Sequence, residues 1–345
     1  MPALNHFGLD IGTHSIKAVQ LGGTAERPSF VAAGQVASSV NVASAGSDED
    51  QAKLAEAIKT LHREAHISTE KVVTALPESQ IFTRVVEMPA LSDAEIKNAI
   101  KWEAEQYVPV PMEEVKLDWQ VLSKIGAAGK EQKMEVLLVA APTVLINNYL
   151  KVLKASGMVP VALETEITAV TRSLVQRVAG NPTTMIVSIG ASTTDLSIVS
   201  SNQISFTRSI ATGGSALARG VAQDLGFELD QATEYMKTYG LDASQIEGKV
   251  MQAIKPIFDV IVNEIRRALA YYTSKHPQTP VKRVVVVGGT AKLPGLVVYL
   301  AEILGLEVQL GNPWEGVSLP SSLSQKLTED SVSYAVSVGL ALKNF

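Results

Sequence analysis

The chain has no cysteine among its 345 residues. Disulfides and thiolate metal sites are therefore excluded, and a reducing compartment is permitted. A basic block is missing as well. Lysine and arginine total 30 against 35 aspartates and glutamates, a formal net charge of -5, and the charges are spread without a long run of one sign. Nucleic-acid binding usually needs a basic stripe, so no nucleic-acid partner is expected. No uninterrupted apolar run nears the roughly 20 residues that span a bilayer. The opening MPALNHFGLDIG lacks the basic and apolar segments of a secretion signal, and no amphipathic tail follows the apolar segment before Phe345. Direct membrane insertion is thus not expected, and work at a membrane would need a partner. The histidines (His6, His14, His62, His66, His276) have no metal-ligand spacing; His62 and His66 are i, i+4 but lack the HExxH pattern. Neither a GxxxxGK[ST] phosphate loop nor a serine-hydrolase elbow is present.

What is present suits two lobes with large cores: hydrophobic residues make up 46% and charged residues 19%. The start reads as strand, turn, strand, and Phe30–Val40 continues with strand character. Ser44–Asp50 is small and polar, a loop. Gln51–Ala65 carries Leu54, Ala57, Ile58 and Leu61 at helical spacing. Lys71–Ala75 is a strand broken by Pro77. Ile81–Met88 is another, and Ser92 with Glu95 forms a capping box for a helix that Pro109 and Pro111 stop. Val115–Ser123 and Met134–Ala140, joined through Gly126–Lys130, complete a β–α–β–β insert. A helix over Val144–Ala155, a strand over Val161–Glu164 and a helix over Thr168–Val178 lead to Gly180-Asn181-Pro182, a hinge-like break. The opening pattern then recurs: strands over Met185–Ser188, Asp195–Val199 and Gln203–Ser209, helices within Ala216–Ala270, and a buried strand over Val281–Val287. The architecture expected is two copies of one α/β unit, each with an insert.

The two copies place comparable turns after an apolar strand. The first reads Leu9-Asp10-Ile11-Gly12-Thr13-His14-Ser15 and the second Val187-Ser188-Ile189-Gly190-Ala191-Ser192-Thr193. Glycine permits a tight turn and lets backbone N–H groups approach an anion, while hydroxyls add short donors. Asp10 would repel phosphate, so its natural role is to hold Mg²⁺ through water. Lys17 offsets phosphate charge. A third loop, Gly288-Gly289-Thr290-Ala291-Lys292-Leu293-Pro294-Gly295, leaves room for a flat ring or ribose. A fourth, Thr212-Gly213-Gly214-Ser215, precedes a helix and is expected to present outward N–H donors. Glu234 and Lys237 share a predicted helix face, where a carboxylate could accept from ribose hydroxyls and an ammonium could sit near a purine; at that spacing they also suit a solvated ion pair.

This set of loops resembles the actin-like ATPase superfamily, which includes actin, Hsp70, sugar kinases and FtsA. Within it, Gly8–Gly12, the stretch MPALSDAEIKNAIKWEAEQYVPVP (Met88–Pro111), MEVLLVAAP (Met134–Pro142) and YAVSVGLALK (Tyr334–Lys343) resemble the PilM family of type IV pilus assembly proteins, over essentially the whole chain. The resemblance implies an α/β, actin-like, duplicated ribonuclease H-like fold of two lobes and four subdomains, with ATP (or ADP) and Mg²⁺ in the cleft between lobes. Residues 1–77, 143–182 and 327–345 would form the first-lobe core, 78–142 the small insert, 183–215 with 281–326 the second-lobe core, and 216–280 a helical subdomain. Asp10, Gly12, Thr13, Ser15 and Lys17 match the first phosphate motif, with Asp10 toward the metal. Gly190, Ala191, Ser192 and Thr193 match the second, Gly213 and Gly214 the nucleotide-side glycines, Glu234 and Lys237 the ribose and base contacts, and Gly288, Gly289 and Pro294 the adenosine motif. The family's role is scaffolding: it grips the N-terminal cytoplasmic tail of the bitopic membrane protein PilN, between the first-lobe core and the insert, alongside other pilus-assembly proteins. A cytoplasmic location, peripheral at the inner membrane through that partner, follows from the resemblance. Ile81–Val86 and the Ile96–Tyr107 helix are candidates for the groove, or for plain core.

One position departs from the superfamily. Its second phosphate motif usually begins with aspartate, and here Ser188 stands there. Asp195 is close in sequence but on the far side of the turn. Binding with slow or absent hydrolysis is therefore expected, because phosphoryl transfer leans on charge stabilisation. Two alternatives remain at this stage: a sugar-kinase-like phosphotransferase, which would need a catalytic-base aspartate, and an FtsA-like filament protein, which would add a C-terminal amphipathic membrane helix.

Overall fold

The computed structural model describes residues 3–38, 40, 42, 47–125, 132–175, 182–321 and 324–345. The expected loop Gly126–Lys130 and the Gly180-Asn181 part of the expected break lie outside them, as does the end of the helix expected to reach Val178.

Three strands open the chain: β1 (Phe7–Ile11), β2 (Ser15–Gly23) and β3 (Pro28–Ala37). Helix α1 (Asp48–Glu64) follows and begins earlier than the apolar spacing suggests, so Asp48–Asp50 are helix and not loop. The reason is a cap: Ser47 Oγ accepts from the Asp50 N–H at 3.1 Å, and Asp48, Glu49 and Asp50 complement the helix dipole. Strand β4 (Lys71–Leu76) leads into the insert of β5 (Phe82–Pro89), α2 (Asp93–Glu105), β6 (Val115–Ile125) and β7 (Lys133–Pro142). The capping box is present at the start of α2, where the Ser92 N–H donates to Glu95 Oε2 at 2.8 Å. Then come α3 (Thr143–Ala155), β8 (Val159–Thr165) and α4 (Glu166–Leu174).

The second half repeats the first with β9 (Thr184–Ile189), β10 (Thr194–Ser200) and β11 (Gln203–Ile210), then α5 (Gly214–Leu225), α6 (Leu229–Tyr239) and α7 (Lys249–Lys275). Strand β12 (Arg283–Val287), α8 (Leu296–Leu304), β13 (Glu307–Leu310), α9 (Ser324–Glu329) and α10 (Ala335–Ala341) complete it. One sheet runs β3-β2-β1-β4-β8 and the other β11-β10-β9-β12-β13. Each is an antiparallel three-strand meander extended by two parallel strands, with β4 and β12 pairing in parallel to β1 and β9. The duplication is therefore one of topology, and it puts the β1–β2 and β9–β10 turns at equivalent places.

Helices α4 and α10 lie between the two sheets. Ala169 and Leu340 pack with Val73 and Ala75 of β4, while Val170, Leu174 and Ala335 pack with Ile186, Val199, Val285 and Val287. Their crossing is so close that a Cβ on Gly339 would sit 1.9 Å from the Ala169 carbonyl oxygen. Arg172 fastens it, donating to the Gly339 carbonyl and to Glu164 Oε2, each at 2.6 Å. Lys343 adds an ion pair to Glu164 Oε1 at 2.9 Å.

The insert's small sheet is ordered β5-β7-β6. Neighbouring residues of a strand face opposite ways. Val136 and Leu138 face α2, against Ile96, Ile100 and Ala104. Leu137, with Leu122, faces the other way and packs on Ile167 of α4 and Ile204 of β11. Thr207 Oγ1 also donates to the Thr83 carbonyl at 2.9 Å, and Gln203 Nε2 donates to that of Leu122. The insert thus leans on the second sheet as well as on the strand it departs from.

Gly339→Ala should force α10 away from α4. Overpacking in a closed core typically costs about 1–3 kcal/mol, and here the clash is with backbone, so the upper end applies. Urea unfolding of the purified variant should show a lowered midpoint; an unchanged midpoint would mean the crossing is loose.

Candidate functional site

A cavity of about 440 Å³ lies between the two sheets, a size that suits a nucleotide-scale ligand. Both turns line it. In the first, the Gly12 N–H donates to the Ser15 carbonyl at 3.1 Å; in the second, the Gly190 N–H donates to the Thr193 carbonyl at 2.9 Å. The same closed turn therefore occurs twice, and a Cβ on Gly12 would lie 2.8 Å from the Ser15 carbonyl oxygen. The turns meet across the cavity, with Ser192 Oγ 3.3 Å from Thr13 Oγ1. Lys17 reaches the cavity from β2 and donates to Ser15 Oγ at 2.6 Å.

The structure brings most of the sequence-expected residues to this cavity. Asp10, Gly12, Thr13, Ser15, Lys17, Gly190, Ala191, Ser192, Thr193, Gly214, Lys237, Gly288 and Gly289 all line it. Gly288, with φ of 92°, lies against β9, where a Cβ would come within 2.4 Å of the Ile189 carbonyl oxygen. Gly213, Glu234 and Pro294 are not among the lining residues. Gly213 packs under the second turn, 2.7 Å from the Gly190 carbonyl oxygen at its Cβ position. The N–H donors expected to face outward are turned inward instead: Gly214 N–H donates to the Gly190 carbonyl at 2.9 Å and Ser215 N–H to that of Ala191 at 2.8 Å. They brace the turn and are not free for an anion. Glu234 pairs with Lys237 at 2.8 Å in solvent. Pro294 accepts the Leu241 N–H at 2.7 Å, tying the end of α6 to the loop. Thr290, not singled out by the sequence, donates from Oγ1 to the Gly190 carbonyl at 3.0 Å.

The floor is acidic. Strand pairing sets Asp195 opposite Ser188, and such partners share a face of the sheet. The far side of the turn is therefore the cavity side, and Asp195 lines the cavity. Glu166, the first residue of α4, lines it too. Glu78 begins the 3₁₀ turn Glu78–Gln80, whose Ser79 and Gln80 reach the cavity, and its Oε1 accepts the Ile167 N–H at 3.2 Å. Burial raises the Asp10 carboxyl, opposed by Lys17. Burial and the nearby Asp195 push Glu78 up to about 7. Burial lifts Asp195 to about 6, opposed by hydroxyl donors from Ser209 and Thr193. Glu166 is raised well above the usual range by burial and by Asp195, Asp10 and Glu78. Asp195 Oδ1 is buried without a hydrogen-bond partner. Such a set fits a hydrated cation that carries phosphate with it, since Mg²⁺ keeps much of its water shell. Among the described residues no three His, Asp or Glu form a direct metal cage.

The candidate groove residues divide. Ile81, Val86, Ile96, Ile100 and Ala104 are core, whereas Trp102 is 72% exposed and Tyr107 stacks under Arg84 at 4.0 Å. A second cavity, of about 220 Å³, lies where the start of β5 meets β11. No described helix is long and apolar enough to cross a membrane.

The raised Glu78 carboxyl has a measurable consequence. Its proton is held more tightly in the folded chain than in the unfolded one, so its contribution is fully present below pH 4.5 and is lost as pH rises through about 7. Glu78→Gln keeps the acceptor for Ile167 and removes the charge. It should raise the melting temperature at pH 8, where the penalty is on the order of 3 kcal/mol, and leave it nearly unchanged at pH 4. Equal shifts at both pH values would contradict the assignment.

Comparison with known proteins agrees with the fold. A solved structure described as "PilM-PilN type IV pilus biogenesis complex" superposes with a TM-score of 0.86 at 28% identity, covering 99% of this chain and 98% of that one. The ethanolamine utilization protein EutJ from Carboxydothermus hydrogenoformans matches with a TM-score of 0.57 at 19% identity, covering 100% and 90%. MreB 5 of Spiroplasma citri, bound to AMPPNP, matches at 0.53 and 15%, covering 97% and 94%. These last two share the actin-like fold. The family model for type IV pilus assembly protein PilM matches residues 8–345, and the chain belongs to that family.

Proposed function

We propose that the cleft binds ATP (or ADP) with Mg²⁺ and that the chain is a nucleotide-dependent scaffold of type IV pilus assembly. The observation that carries this reading is the meeting of two glycine turns closed by the same hydrogen bond, Gly12 to Ser15 and Gly190 to Thr193, across one cavity. Two such turns offer hydroxyls and backbone donors from opposite sides, which suits a chain of phosphates. Asp10 would hold Mg²⁺ through water, with Glu166 and Asp195 sharing that shell. Bound Mg²⁺ would neutralise phosphate charge; Lys17 would add a second positive group. Gly289, where an added Cβ would meet nothing within 4 Å, leaves space for the nucleoside, and Lys237 lines the same cavity. The relative solved with AMPPNP supports the reading through its shared fold.

Turnover is slow or absent in this reading. Ser188 supplies no charge at the head of the second turn, and Asp195 reaches the cavity from the other strand. The partner is the N-terminal cytoplasmic tail of a PilN-like membrane protein, as the match to a PilM–PilN complex suggests. That tail would lie between the first-lobe core and the insert, and would hold the chain at the cytoplasmic face of the inner membrane. The division into a first-lobe core, an insert, a second-lobe core and the helical subdomain 216–280 belongs to the same proposal.

Calorimetry should detect binding of MgATP to the purified chain, and Ser188→Asp should hydrolyse it at least as fast as the wild type. Absence of binding at high micromolar nucleotide would remove the cleft assignment. A synthetic peptide with the tail sequence of the PilN-like partner should bind saturably and slow hydrogen exchange within residues 78–142. Protection confined to residues 216–280 would put the tail elsewhere.

A further inference from the structure

Four polar side chains form a continuous chain over the mouth of the cleft. Ser192 Oγ lies 3.3 Å from Thr13 Oγ1. Thr13 Oγ1 lies 3.3 Å from His14 Nδ1, and His14 Nε2 lies 3.4 Å from Ser215 Oγ. Thr13 and His14 sit on the first turn, Ser192 on the second and Ser215 in the first turn of α5, so the chain crosses between the lobes twice. All four line the cavity. The position equivalent to His14 in the second turn is Ser192, a plain hydroxyl. An imidazole at the first tip is therefore not required by the turn itself.

We propose that His14 senses the terminal phosphate and sets the preference for a nucleoside triphosphate over a diphosphate. The inference rests on the nucleotide reading of the cleft and goes beyond it by assigning the discrimination to one side chain. A phosphate oxygen that accepts from two hydroxyls lies about 2.7 Å from each, and with the donors along its lone-pair directions, roughly 110° apart, it holds them farther apart than 3.3 Å. A phosphate between the turns therefore separates Ser192 from Thr13. The His14–Ser215 contact spans the same two lobes and is already near the limit of a hydrogen bond, so it parts with them. The imidazole is then released toward the anion, and in either tautomer one ring nitrogen carries a proton to donate. Magnitudes favour the exchange. The contacts given up are long and open to solvent, whereas a hydrogen bond to a charged phosphate is among the stronger kinds. A diphosphate leaves the outermost position empty and the chain of contacts intact.

The test uses the full chain with Mg²⁺ and two probes, ADP and AMPPNP, measured by calorimetry. His14→Ala should weaken AMPPNP about tenfold, the scale of one hydrogen bond to a charged group, and leave ADP within about twofold. His14→Asn, which keeps a donor, should recover part of the loss. Equal weakening of both nucleotides by His14→Ala, or weakening of neither, overturns the inference while the cleft assignment stands. A wild-type chain that binds neither probe removes both together.

Discussion

Crowding of like charge on the floor of the cleft is the constraint to which the rest of the structure answers. Asp10, Glu78, Glu166 and Asp195 come from four separate segments and converge beneath the two turns, with the Lys17 ammonium as counter-charge. Buried carboxylates that close together cannot all ionise cheaply. They hold protons or they hold a cation. Asp10, Glu166 and Asp195 line the cavity itself, with Glu78 just behind them, and an acid cluster so placed fits a ligand that brings positive charge.

That floor stands on the helices between the sheets. Glu166 is the first residue of α4, and α4 is clamped to α10 by the close approach at Gly339 and by Arg172. The position of one carboxylate is thus set by a backbone contact about one helical turn from the cavity lining. Glu78 is set in turn by the Ile167 N–H on the same helix. Local turn geometry places the glycines and hydroxyls; helix packing places the acids.

This division explains what could be read from the sequence. The turns were legible because glycine and small hydroxyls recur after apolar strands, and the Ser92–Glu95 cap because its partners are three residues apart. Asp195 was misplaced because a turn seen in one dimension separates residues that strand pairing sets opposite each other. Glu78 and Glu166 were missed because they meet through a contact between segments 89 residues apart. The inward N–H groups of Gly214 and Ser215 escaped for a similar reason: a helix start announces donors, yet only the folded chain shows that the Gly190 and Ala191 carbonyls take them. His14 was passed over because it was tested as a metal ligand and not as a neighbour of Ser215.

The insert's double footing has a mechanical consequence. One face of its sheet is filled by α2, and the other presents Leu122 and Leu137 to Ile167 and Ile204. A two-lobed protein joined at one crossing can swing open like a hinge. Here a second apolar contact, Leu122 and Leu137 of the insert against Ile204 of the second sheet, bridges the two halves, and swinging would expose it to water. The lobes are therefore restricted to shear, small sliding steps that keep Leu137 and Ile204 in touch.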